Sequence, residues 1–178
     1  KGKLDKVYTR LDRVLASNPK PEIDPIDPDV EITAAAQQKL HEVGGKLRDA
    51  GIEDRAVEAL STYLAHASEQ DVAHLRPIEL APQFGVPEDE MIEAALHAPK
   101  QGALAMVWDV ICPSCRIPSS VVDSLAKIEE HGACKTCNIG FDVDFSRAIE
   151  LAFRASPEVR DVETRTYCIG GPAHFPHV

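Results

Sequence analysis

Val107-Trp108-Asp109-Val110-Ile111-Cys112-Pro113-Ser114-Cys115 runs an apolar stretch into a pair of cysteines. After an interval of eighteen residues, Cys134-Lys135-Thr136-Cys137 supplies a second pair. Each C-x-x-C turn can present two sulfurs to one side of an ion, and the interval lets the chain leave and return. Cys112, Cys115, Cys134 and Cys137 are therefore expected to hold one structural Zn²⁺ in a ribbon-type site. The rival contents are iron, as a cluster or a rubredoxin-like ion, or no metal on four plain thiols. A thioredoxin-type redox pair would need only one of the two turns. Asn138 suits the left-handed backbone that such a turn requires, and Arg116 fills the equivalent place less comfortably. With four sulfurs as ligands no coordination position stays open, so the site reads as structural rather than catalytic.

Upstream of the first pair, the pattern is helical. Thr33 can cap a helix that turns Leu40, Val43 and Leu47 inward and closes at Gly51, and a second helix carries Val57, Leu60, Tyr63 and Leu64. Ser68 and Asp71 resemble a capping box opening a short third helix with Val72 and Leu75. Pro77-Ile78-Glu79-Leu80-Ala81-Pro82-Gln83-Phe84 stops at Gly85, and another helix starts at Pro87, which is helix-turn-helix phrasing. Gly102-Ala103-Leu104 then turns into a strand, as a wing would. Pro82 predicts a kink or a 3₁₀ turn. Downstream of the second pair, residues 141–145 and 148–153 read as strands.

The fold class is thus α+β, a helical winged-helix-like domain followed by a four-cysteine zinc ribbon and β-strands. Residues 1–17 read as an orphan amphipathic helix, whose spacing would put Leu4, Val7, Tyr8, Leu11, Val14 and Leu15 on one face. Residues 18–30 contain four prolines and read as an extended linker. The helical domain spans 31–105, the ribbon 106–153, and a further β segment starts at 154–178. The chain begins at Lys1 without Met and ends at Val178 in an unfinished phrase, which reads as a fragment.

Composition narrows the function. Nineteen Lys and Arg oppose 29 Asp and Glu, a net charge of −10. Nucleic acid and anionic membrane surfaces both select clustered positive charge, so neither is an expected partner. Glu88, Asp89, Glu90 and Glu93 open the helix that would have to read DNA, where phosphates would repel them. No apolar run approaches the roughly 18 residues of a membrane span. Paired cysteines at metal-ligand spacing point to a reducing compartment, with the cytoplasm as default.

Other candidate chemistry is thinner. Cys168 precedes His174 and His177, a spacing that lacks a fourth ligand for a second metal site. Asp142 and Asp144 would share one face of a strand and could hold Mg²⁺, but a half-exposed strand with Phe141, Val143 and Phe145 inward predicts the same alternation. His41, His66, His74, His97 and His131 read as surface or cap residues.

With these phrases in view, the chain resembles the uncharacterised region preceding the catalytic domain in some bacterial class III adenylate/guanylate cyclase-type proteins. The resemblance rests on residues 107–115, Cys134-Lys135-Thr136-Cys137-Asn138-Ile139-Gly140-Phe141-Asp142, Ile149-Glu150-Leu151-Ala152-Phe153-Arg154, Tyr167-Cys168-Ile169-Gly170-Gly171-Pro172 and Pro176-His177-Val178. Arg76-Pro77-Ile78-Glu79-Leu80-Ala81 fits more loosely. It implies that residues 1–17 end a preceding START-like domain, and that a cyclase domain follows Val178 and holds the catalytic residues. The expected role is a non-catalytic regulatory or scaffolding module in a signalling protein. Its partners would be neighbouring domains or another protein, with a homodimer as an option. The alternative from another class is a winged-helix and zinc-ribbon protein that binds nucleic acid or regulates transcription.

Overall fold

A computed structural model describes residues 32–162, together with Asp5, Tyr8, Thr9, Asp12, Arg13 and Ala16, which are helical and exposed. The linker, most of the amphipathic face and the segment carrying Cys168, His174 and His177 lie outside the described residues.

From residue 32 onward, five helices come first. α1 (Ala34–Asp49) starts where the Thr33 hydroxyl accepts the Ala36 N–H at 3.2 Å. It buries Leu40, Val43 and Leu47 against α2 (Asp54–His66), which returns Val57, Leu60 and Leu64. Tyr63 meets Phe84 edge to face, with ring centroids 6.4 Å apart. The Ser68 hydroxyl accepts the Asp71 N–H and opens α3 (Glu69–Ala73). α4 (Pro77–Phe84) ends on Gly85 at φ 64°, a left-handed position where a side chain would be strained. α5 (Glu88–His97) follows, starting one residue beyond Pro87.

Pro82 does not break the helix into a 3₁₀ turn: it sits inside α4, which runs α-helical from Pro77 to Phe84. Its missing N–H would have served the carbonyl of Ile78, and Ile78 is 56% exposed, so water can take that place.

A 3₁₀ turn (Ala98–Gln101) feeds β1 (Leu104–Ile111), the central strand of an antiparallel sheet in the order β2-β1-β5, where β2 is Pro118–Val122 and β5 is Ile149–Ala155. The boundary drawn after residue 105 therefore falls inside β1. Leu75 exchanges two backbone hydrogen bonds with Phe153, at 2.7 and 2.8 Å, and so extends the sheet beyond β5. Phe153 shares one buried core with Leu60, Leu64, Val72 and Met91, and Leu104 and Ala155 belong to it too. Burying a side chain of this size contributes about 1.5–3 kcal/mol, so the helices and the sheet stabilise each other.

A separate hairpin, β3 (His131–Cys134) with β4 (Ile139–Asp142), carries the second cysteine pair. The strand expected over residues 141–145 stops at Asp142 instead. Asp144 caps a one-turn helix, α6 (Phe145–Ala148), by accepting the Ser146 N–H at 2.9 Å and its hydroxyl at 2.6 Å. A local side-chain cap has replaced the ladder here, and Phe145 points outward at 55% exposure.

Candidate metal centre

β1 delivers Cys112, and the chain turns at once. The Arg116 N–H donates to the Cys112 carbonyl, and the Cys112 N–H to the Ile117 carbonyl, each at 3.0 Å. The hairpin delivers Cys134 at the end of β3 and Cys137 in its turn. Arg116 (φ 60°) and Asn138 (φ 53°) hold the left-handed positions after the two pairs, and no other described non-glycine residue has positive φ.

The four sulfurs all lie within 4.8 Å of one another. Cys115 Sγ is 3.7 Å from Cys134 Sγ. A tetrahedral ion with metal–sulfur bonds of about 2.3 Å has sulfur–sulfur edges of about 3.8 Å, whereas a disulfide needs about 2.05 Å. The thiols are free, three of them are buried, and Ile117 and Phe141 pack around them. This cluster could hold a metal ion such as zinc. Among the described residues it is the group of three or more His, Cys, Asp or Glu side chains close enough to share one.

The sulfurs are not equivalent. Burial pushes the Cys115 thiol up to about 12. The Cys137 backbone N–H, 3.5 Å from Cys134 Sγ, does most to hold Cys134 down to about 7. Loading a metal must therefore expel protons, above all from Cys115, and binding strengthens as pH rises.

Phe141 packs over Gly132 across the hairpin, where a Cβ would come within 2.6 Å of the ring. Beside the cluster opens a cleft of about 530 Å³ whose lining includes Ile111, Phe141, Arg116, Arg147, Asp142 and Asp144. The two aspartates do not form the carboxylate pair that strand alternation would give. Asp142 pairs with His131 Nδ1 at 2.7 Å, and Asp144 is the α6 cap.

Sequence reasoning missed a second polar centre. Asp109 is fully buried in the middle of β1. Its Oδ2 is hydrogen-bonded to His74 Nε2 and lies 3.8 Å from Arg76 Nη2. Its Oδ1 has no partner, and neither does Arg76 Nε. The same Arg76 Nη2 is 3.3 Å from Glu150 Oε2, and Arg116 Nη2 is 3.7 Å from Glu150 Oε1. The available signal was one carboxylate inside an otherwise apolar strand, which burial makes costly unless it is paired. His74 does end α3, as a cap reading anticipates, but it also closes this centre. His41, His66, His97 and His131 are exposed.

The described chain is thus a mixed helix-and-sheet protein with one four-cysteine cluster. Residues 36–167 match a family of unknown function (DUF5939), and the chain belongs to that family. No curated protein and no solved structure matches it. No described helix is long and apolar enough to cross a membrane.

Proposed function

We propose that this chain is a non-catalytic regulatory or scaffolding module, built on a structural zinc site and working within a larger cytoplasmic signalling protein of the bacterial adenylate/guanylate cyclase type. The observation that carries the reading is the closed cluster of Cys112, Cys115, Cys134 and Cys137, whose sulfurs would fill a tetrahedral ion and leave no position for substrate. A bound zinc would supply folding energy to the two turns and the hairpin, and this chain's residues would do the coupling. The cyclase context rests on the phrases around residues 107–115, 134–142 and 149–154.

A nucleic-acid reading has weaker support. Glu88, Asp89 and Glu93 are exposed on the helix that would enter a groove, and Glu90 is committed to Arg55. The test is made in the full-length protein by deleting residues 31–150. Altered regulation or assembly with intact turnover supports the module. Lost chemistry with unchanged assembly, or cyclic nucleotide made by the isolated chain from ATP or GTP, overturns it.

A further inference from the structure

The knuckle residue Arg116 links two parts of the molecule that share no core cluster. Its backbone is held left-handed between the two hydrogen bonds of the first cysteine turn, a conformation unfavourable for an L-residue. Its guanidinium leaves the turn and reaches the Arg147 carbonyl at 3.5 Å and Glu150 Oε1 at 3.7 Å. The other Glu150 oxygen faces Arg76. Arg76 is the residue from which α4 starts, and it also contacts Glu79 and the buried Asp109, which in turn holds His74 at the end of α3.

We infer that the metal state of the cysteine cluster is read at the α3–α4 junction through Arg116, Glu150 and Arg76. The inference rests on the metal reading proposed above. The element with two states is the first cysteine turn. Ligation through Cys112 and Cys115 fixes Arg116 in its left-handed conformation, and without the ion that residue relaxes to negative φ. The guanidinium then swings away from Glu150, which is left with Asp109 and Glu79 as one of three carboxylates facing a single Arg76. Arg76 is drawn toward the half-exposed Glu150 and away from Asp109. The buried carboxylate and His74 lose a partner, and the α3–α4 junction loosens.

Hydrogen exchange on the full chain, with zinc and after chelation, tests this. Amides of residues 75–81 should exchange about three-fold faster or more without zinc, while residues 40–64 should not change. Arg116→Asn keeps a residue that tolerates the left-handed backbone, as Asn138 does, and removes the guanidinium. It should still bind one zinc, yet exchange at 75–81 should no longer respond to it, and Glu150→Gln should behave alike. A response that persists in both variants would mean that the β1 backbone carries the coupling, and it overturns the relay. So does a wild-type response confined to residues 110–140 while one zinc is bound. Elemental analysis showing no metal removes the metal reading and the relay with it, and is distinguishable from both.

Discussion

Asp109 and Glu150 stand directly opposite each other in the β1–β5 register, two carboxylates on one face of the sheet with Arg76 between them. Carboxylates in that relation repel, and a cation that reaches both offsets the repulsion. Asp109 is fully buried and Glu150 is 40% exposed at its side chain, so their energetic weights differ. Asp109→Ala takes the carboxylate from His74 and one of three from Arg76, and should cost about 3 kcal/mol. Glu150→Gln should cost less than about 1 kcal/mol. Urea unfolding of the two variants decides the matter, and equal losses would refute this ranking.

The four-cysteine cluster predicts one zinc per chain, with metal–sulfur distances of about 2.3 Å. Cys112→Ser should abolish stoichiometric binding and release the β3–β4 hairpin, while the α1–α2 packing around Leu60 persists. Elemental analysis with amide exchange measures both. Iron in the purified protein, or collapse of the helices together with the hairpin, would count against it.

The acidic start of α5 predicts no sequence-selective binding of duplex DNA. A titration at low salt favours any electrostatic attraction that exists. Selective binding at micromolar concentration or tighter would reverse the reading.

Asp144 gives a pH dependence with a definite sign. Its hydrogen bonds from the Ser146 hydroxyl and N–H hold its carboxyl below the ordinary 3.8. A depressed folded value contributes stability that is present above the unfolded value and lost as pH falls through the folded one. An NMR titration should place the Asp144 midpoint below 3.8, and Ser146→Ala should raise it. An unchanged midpoint in that variant would remove the cap from the account.

Local signals were the legible part of this sequence. Thr33, Ser68 and Gly85 mark helix ends by side-chain or backbone chemistry within a few residues, and the structure puts caps at all three. The cysteine spacing named the four clustered sulfurs for the same reason. Residues 141–145 misled because alternation alone does not say whether an aspartate faces solvent or caps the next turn. The two short strands between the cysteine pairs gave no strong pattern. Their residues are mostly half-buried or exposed, so hydrophobic periodicity has little to report. Asp109 was illegible as a centre because its partners arrive through the Leu75–Phe153 bridge, a pairing between segments far apart in the chain.

β1 enters at Leu104 in the helical core and leaves at Ile111, next to the first cysteine, paired with β5 at every position from Leu104 to Val110. A slip by one residue would turn Val107, Asp109 and Ile111 to the opposite face, so the next permitted register lies two residues, about 6.8 Å, away. Between residues 104 and 111 the molecule therefore behaves as a strut rather than a swivel. Such a strut keeps its two ends at one spacing and heading, so a change at the cysteine turns reaches the helices through the side chains beside β1 and not by movement of the strand itself.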